Sequence, residues 1–267
     1  MDTRLVAIYL ADQQNPIIHG LDNLAEQEDL HEPSASNAWH PAIHLLDKVL
    51  KTTTLPGTEL YITLSSNIAR YAIIPWSEDL SGSAEFDAYV RHCISANYGE
   101  VAKSWHTFSQ KGGYGEAAIA SAIDQQLLDH LHRLADIHGK HLRRVSPFLS
   151  EALDMLTMTP DIKSLQDYWL VMVEPSRITV GMIGNHQWQS IRSQDIQQAV
   201  DEQIAVMIQR ESILHGGIVK DMPILLSSKI IWTVPGNIAG HRVHQLGKHA
   251  ASSHYPISLP HLGILRS

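Results

Sequence analysis

Glu59-Leu-Tyr-Ile-Thr-Leu-Ser-Ser-Asn-Ile-Ala-Arg-Tyr-Ala-Ile-Ile-Pro-Trp76 decides the fold class. Two runs rich in β-branched and aromatic residues stand back to back. Between them, Ser65-Ser66-Asn67 offers short polar side chains that compete for their own backbone and so break the run. The stretch reads as two strands of one sheet, and Pro75 fixes an extended exit. Upstream, Pro41 to Leu50 places Ile43, Leu46, Val49 and Leu50 at helical spacing, with Asn37 as cap. Further upstream, Arg4 to Ala11 and Ile17-Ile18 flank the turn cluster Asp12-Gln-Gln-Asn-Pro16, which predicts a hairpin. Residues 22–37 are acidic and polar and read as a loop.

Downstream, Ala84 to Tyr98 reads as a helix stopped by Gly99. Val101 to Phe108 and Ala117 to Ile123 read as strands of a second hairpin around Lys111-Gly-Gly-Tyr-Gly115. Gln125 to His138 is the clearest amphipathic helix, with Leu127, Leu128, Leu131, Leu134, Ala135 and His138 on one stripe and Gly139 at its end. A short strand over Leu142 to Val145 and a helix from Phe148 to Met155 follow. Residues 157–167 mark a boundary, after which the pattern restarts. Trp169 to Glu174, Arg177 to Ile183 and Gln187 to Arg192 predict a meander with its turn at Asn185-His186. A helix over Ile196 to Leu214 and a buried strand over Ile224 to Leu226 come next, and the tail from Gly236 reads as irregular. Two halves, each opening on antiparallel strands and crossing over through helices, make an α/β plan of duplicated type. The first lobe is set at 1–160, with an insertion around 84–124, and a shortened second lobe at 165–267.

The 267 residues are 44% hydrophobic, enough for a sizeable core, so a disordered chain is excluded. Twenty basic against 28 acidic residues give a net charge of −8, a poor footprint for nucleic acid. No window approaches the ~18–20 apolar residues of a membrane span. Met1-Asp2-Thr3-Arg4 opens without a signal-peptide pattern, so a cytoplasmic protein is expected. Cys93 is the only cysteine, which excludes disulfides and cysteine-rich metal sites within the chain.

Leu64 to Trp76 resembles the strand pair after the first helix in actin-like components of pilus and secretion assembly platforms. These are the PilM-like and GspL-like proteins and their MSHA-pilus relatives. Tyr98-Gly99-Glu100, Ala120-Ser-Ala-Ile-Asp124, Val145-Ser-Pro-Phe148 and Trp169-Leu-Val-Met-Val-Glu-Pro-Ser176 fit the same pattern, and the resemblance covers residues 4–230. It implies a duplicated ribonuclease-H-like (actin-like ATPase) fold of two lobes with mixed sheets. It also implies a place at the inner face of a membrane, peripheral and not inserted, and a membrane-anchored partner that supplies a short cytoplasmic segment. A second copy of the chain is a further candidate partner.

An actin-like nucleotide site needs three glycine-bearing turns, because a Cβ blocks the close approach of backbone N–H groups to phosphate. Here the first turn, Ala11 to Pro16, has Asp12 but no Gly. In the second, Val173-Glu174-Pro175-Ser176-Arg177, Pro175 removes a donor and Ser176 stands where the family pattern carries Gly. The third, Leu226-Ser227-Ser228-Lys229-Ile230, has no glycine pair. All three depart in one direction, so no cofactor is expected. If the chain is instead an actin-like ATPase or kinase with a rebuilt site, Asp12, Glu174, Ser176 and Ser227 are the residues that would hold the nucleotide. Gly112-Gly113-Tyr114-Gly115 lacks P-loop spacing and is read as a hairpin tip.

Seventeen histidines invite a metal reading, yet His241 and His244 have no Cys, Asp or Glu to complete a tetrahedral set, so no metal is expected. No Gly-x-Ser-x-Gly elbow is present, and no catalytic residue is assigned. Cys93 is read as an inert, buried thiol. Trp76 is expected to pack on the core. Tyr71 and Trp76 are the candidate contacts should that sheet take a partner segment by its edge. The sequence therefore points to a non-catalytic scaffold, with an enzyme as its rival.

Overall fold

The structure is a computed structural model and describes residues 5–10, 17–19, 39–52, 59–80, 82–159, 162, 164–216 and 222–247. Asp12, Asn37 and the loop over 22–37 lie outside the described residues.

The first lobe begins with β1 (Leu5–Leu10) and β2 (Ile17–His19), paired antiparallel as expected. α1 (His40–Thr52) leads to β3 (Glu59–Leu64), which runs parallel to β1. β4 (Arg70–Ile74) follows, then α2 (Ser83–Tyr98) and a 3-10 turn over Glu100–Ser104. β5 (Trp105–Gln110), β6 (Ala118–Asp124) and α3 (Gln125–Ile137) come next. β7 (His141–Pro147) and α4 (Phe148–Thr157) complete the lobe. Its main sheet has the order β2-β1-β3-β7, and a second sheet has the order β4-β6-β5.

The expectation that Tyr61 to Leu64 and Tyr71 to Ile74 share a sheet is corrected here. β3 lies between β1 and β7, while β4 pairs antiparallel with β6 in a separate three-stranded sheet. That sheet therefore takes in β4, upstream of the expected insertion at 84–124. Residues 101–104 also differ from the expected strand. They form a 3-10 turn after Gly99, whose φ of +79° turns the chain out of α2.

Alternation along the inserted strands explains how one small sheet serves two cores. Ala118, Ala120 and Ala122 of β6 face α2, and their small side chains let Val90 and Ile94 of that helix approach closely. Ile119 and Ile123 of the same strand, with Tyr71, point into the main core against Leu127, Leu131 and Phe148. The stripe expected on α3 is buried, and His138 caps the helix while its Nε2 meets Asp47 Oδ1 of α1 at 2.8 Å.

The second lobe opens with the expected meander: β8 (Tyr168–Val173), β9 (Arg177–Gly184) and β10 (Gln187–Asp195). Asn185 and His186, at φ +52° and +63°, form the two-residue turn between β9 and β10. α5 (Val200–Leu214) and β11 (Ile224–Ser228) follow. α5 starts later than the expected Ile196: β10 runs on to Asp195, and the Ile196 N–H continues the strand-side pairing by donating to the Ser176 carbonyl at 2.9 Å.

The tail from Gly236 is not irregular throughout. β12 (Asn237–Ile238) and β13 (His241–Gln245) extend the sheet, with β13 parallel to β11. Numbered along this lobe, the order β10-β9-β8-β11-β13-β12 reads third-second-first-fourth-sixth-fifth. Residues 248–267 lie outside the described residues.

β8 is buried on both faces, as a central strand requires. Leu170 and Met172 join the first-lobe core, whereas Trp169, Val171 and Val173 pack beneath α5 with Ile204, Met207 and Ile208. The lobes therefore share one hydrophobic core at their seam.

Candidate functional site

The site is the seam where the second-lobe turns meet the first lobe. After β3 the chain makes a single helical turn, in which Ile68 and Ala69 N–H groups donate to the Ser65 carbonyl. This leaves the Ser66 N–H pointing outward from the turn's N-terminal end. The carboxylate of Glu174, fully buried at the end of β8, accepts that N–H at 3.0 and 3.1 Å. Beside it, Asn67 Nδ2 donates to Ser176 Oγ at 2.5 Å. Arg177 Nη1 donates to the Ser66 carbonyl at 3.3 Å while its Nη2 pairs with Asp195 at 2.9 Å. Arg70 folds back over the same turn and donates to the carbonyls of Ser66 and Asn67 at 2.9 and 2.6 Å.

The third turn is engaged similarly. Lys229 follows β11, and its N–H donates to the Val173 carbonyl at 2.8 Å. Its Nζ reaches across to Glu151 of α4 at 2.5 Å and lies 4.9 Å from the Phe148 ring. Ser227 Oγ rests against Met155 Sδ at 3.8 Å. Glu174, Ser176 and Ser227 are therefore brought together at the seam, each in contact with first-lobe atoms.

Tyr71 is interior. Its hydroxyl lies 3.3 Å from Ser66 Oγ and accepts the Leu149 N–H at 3.4 Å, linking β4 to α4 behind the seam. Burial pushes its phenol well above the usual tyrosine value, and the charge of Glu174 adds to that rise. Trp76 sits at the surface, 38% exposed, edge-on to the ring of Tyr114 with centroids 5.1 Å apart. Tyr114, on the Gly112 to Gly115 hairpin tip, is 91% exposed. The reading of Trp76 as core packing is corrected: its ring meets Tyr114 of the hairpin tip, not the interior.

Sequence reading places Ser66, Arg177 and Tyr114 only as turn and hairpin-tip residues without a role, and does not point to Glu151. Glu174 was visible as an acid, but its acceptor role depends on a backbone N–H 108 positions away. Cys93 is half-buried on α2, and burial raises its thiol above the ordinary value. His241 and His244 fall on opposite faces of β13. Among the described residues, no group of three or more His, Cys, Asp or Glu is placed to hold a metal ion.

Two ribonuclease-H-like lobes with mixed sheets, meeting at the ends of β3, β8 and β11, define the actin-like ATPase fold. No family model matches the sequence, and no curated protein matches it. Solved structures match in fold. A Bacteroides thetaiotaomicron protein with an actin-like ATPase fold and unknown function aligns with 85% of this chain and 82% of its own, at 12% identity and a TM-score of 0.54. The cytoplasmic domain of EpsL, an inner membrane component of the Vibrio cholerae type II secretion system, aligns over 91% and 90% at 11% identity and a TM-score of 0.52. A PilM–PilN type IV pilus biogenesis complex aligns over 90% and 84% at 8% identity and a TM-score of 0.57. At these identities the fold is what is shared.

Proposed function

We propose that this chain is a non-catalytic, actin-like scaffold of a pilus or type II secretion-like assembly platform, holding a cytoplasmic segment of a membrane-anchored partner. The observation that carries this reading is the seating of Glu174 on the Ser66 N–H. A turn that would offer donors to phosphate presents a buried carboxylate instead, and an anion placed there meets like charge. Lys229, the cation within the third turn, is drawn onto Glu151. The fold likeness to EpsL and to the PilM–PilN complex supports the platform context.

On this reading the protein works on the cytoplasmic face of a membrane without entering it. Among the described residues no helix is long and apolar enough to cross one. Lobe boundaries at 1–160 and 165–267 belong to the same proposal, and Trp76 is its partner contact.

Isothermal titration of the full chain with Mg-ATP tests it. The expected result is no binding at millimolar nucleotide. Micromolar binding that is lost in both Asp12→Ala and Glu174→Ala would overturn it and establish the rebuilt nucleotide site.

A further inference from the structure

We propose that the outer face of α5 is a self-complementary interface through which two copies of this chain pair about a two-fold axis. α5 buries Ile204, Met207 and Ile208 against the six-stranded sheet. Its opposite face carries Glu202, Val206, Gln209, Arg210 and Ile213, all exposed. A single exposed aliphatic residue is ordinary. Here Val206 and Ile213, 54% and 68% exposed, stand seven residues apart on one stripe, about 10 Å along the helix.

The charges select the occupant. Glu202 and Arg210 lie four residues to either side of Val206. Antiparallel docking of two copies centred on Val206 sets Glu202 of each against Arg210 of the other. It also lays Ile213 of each over the exposed Ala199 of the other. Parallel docking would oppose Glu202 to Glu202 and Arg210 to Arg210, which repel. An isologous pair needs one patch that matches itself after a two-fold rotation, and this stripe does. Among the described residues neither Glu202 nor Arg210 has an ion-pair partner, while the nearby Arg192 is engaged with the buried Glu211.

A 15-residue helix is about 22 Å long and covers less than the ~800 Å² per partner of a standard interface, so the dimer is weak and concentration-dependent. The inference goes beyond the scaffold reading and stands whether or not the cleft takes a nucleotide.

Sedimentation equilibrium of the full chain at low salt tests it, together with charge reversal. A reversible dimer is expected. Glu202→Arg alone and Arg210→Glu alone each weaken it about tenfold, and the double reversal restores it. In a Cys93→Ser background, Val206→Cys forms an intermolecular disulfide on mild oxidation, because the two-fold axis brings position 206 onto itself. Val101→Cys, equally exposed but on the first lobe, does not. A chain that stays monomeric, with both cysteine variants reacting alike, overturns the proposal in favour of a different occupant of the face. So does a dimer indifferent to the charge reversals.

Discussion

The carboxylate of Glu174 accepts the backbone N–H of Ser66 with both oxygens, across the seam between the lobes. The two residues belong to turns that follow β8 and β3. Asn67 to Ser176 and Arg177 to the Ser66 carbonyl repeat the link on either side. Lys229 to Glu151 makes a second fastening at the end of β11. Motion of one lobe against the other must break one buried and several part-buried polar links, which favours a fixed relative position over a hinge that opens for ligand.

Glu174→Ala removes the acceptor and leaves the Ser66 N–H buried without a partner. That costs about 1–3 kcal/mol. Glu174→Gln keeps an acceptor oxygen and costs less. Urea unfolding of the three proteins checks the order, with wild type most stable and the alanine variant least. An alanine variant as stable as wild type would remove the seam from the account.

Tyr71 makes a prediction at alkaline pH. Its phenol titrates near 10.0 when unfolded and higher when folded. The unfolded chain thus gives up this proton first, so the contribution is fully present below about pH 10 and falls away above it. Tyr71→Phe loses the acceptor for Leu149 and costs about 1 kcal/mol at neutral pH. It also loses the proton, so its stability declines less steeply above pH 10 and the two curves converge. Denaturant midpoints from pH 7 to 11 measure this, and curves that stay parallel contradict it.

Gly181, in the middle of β9, gives a packing prediction. A Cβ built there falls 2.6 Å from Cζ3 of Trp188, whose ring lies across the strand. Gly181→Ala must push the indole aside and costs about 1–3 kcal/mol. Trp188→Leu clears the space, so the alanine is better tolerated in that background. A double-mutant cycle on thermal unfolding reads the coupling, and strict additivity would rule the contact out.

Local pattern made several elements readable. The stripe on α3 with Gly139 behind it, the Asn185-His186 turn and the buried run of β8 each carry their own signal within about a dozen residues. The partner of β4 carries none, since Arg70 to Ile74 would pair equally well with either sheet, and only the Ala-rich β6 beside it decides. β13 was missed because His241 to Gln245 has little strand character alone; its conformation comes from lying beside β11. At the site, the absence of glycine from the three turns and the acid at Glu174 were legible. Their use was not, because Ser66, Glu151 and Tyr114 reach the seam and the hairpin surface through tertiary contact.

The Trp76–Tyr114 pair carries the prediction closest to function. Both rings stand at the end of the three-stranded sheet, and paired exposed aromatics offer large contact area at little cost in side-chain entropy. Neither lies in a main core cluster, so Trp76→Ala and Tyr114→Ala should leave the unfolding free energy within the ~0.5 kcal/mol typical of surface changes. Each should weaken binding of a partner segment about tenfold or more. The probe is the cytoplasmic segment of a membrane-anchored protein that cross-links to the full chain, titrated by fluorescence anisotropy. Glu174→Gln serves as the contrast, since it lowers stability without touching the aromatic surface. If both alanine variants bind as wild type does, the segment docks elsewhere on the protein.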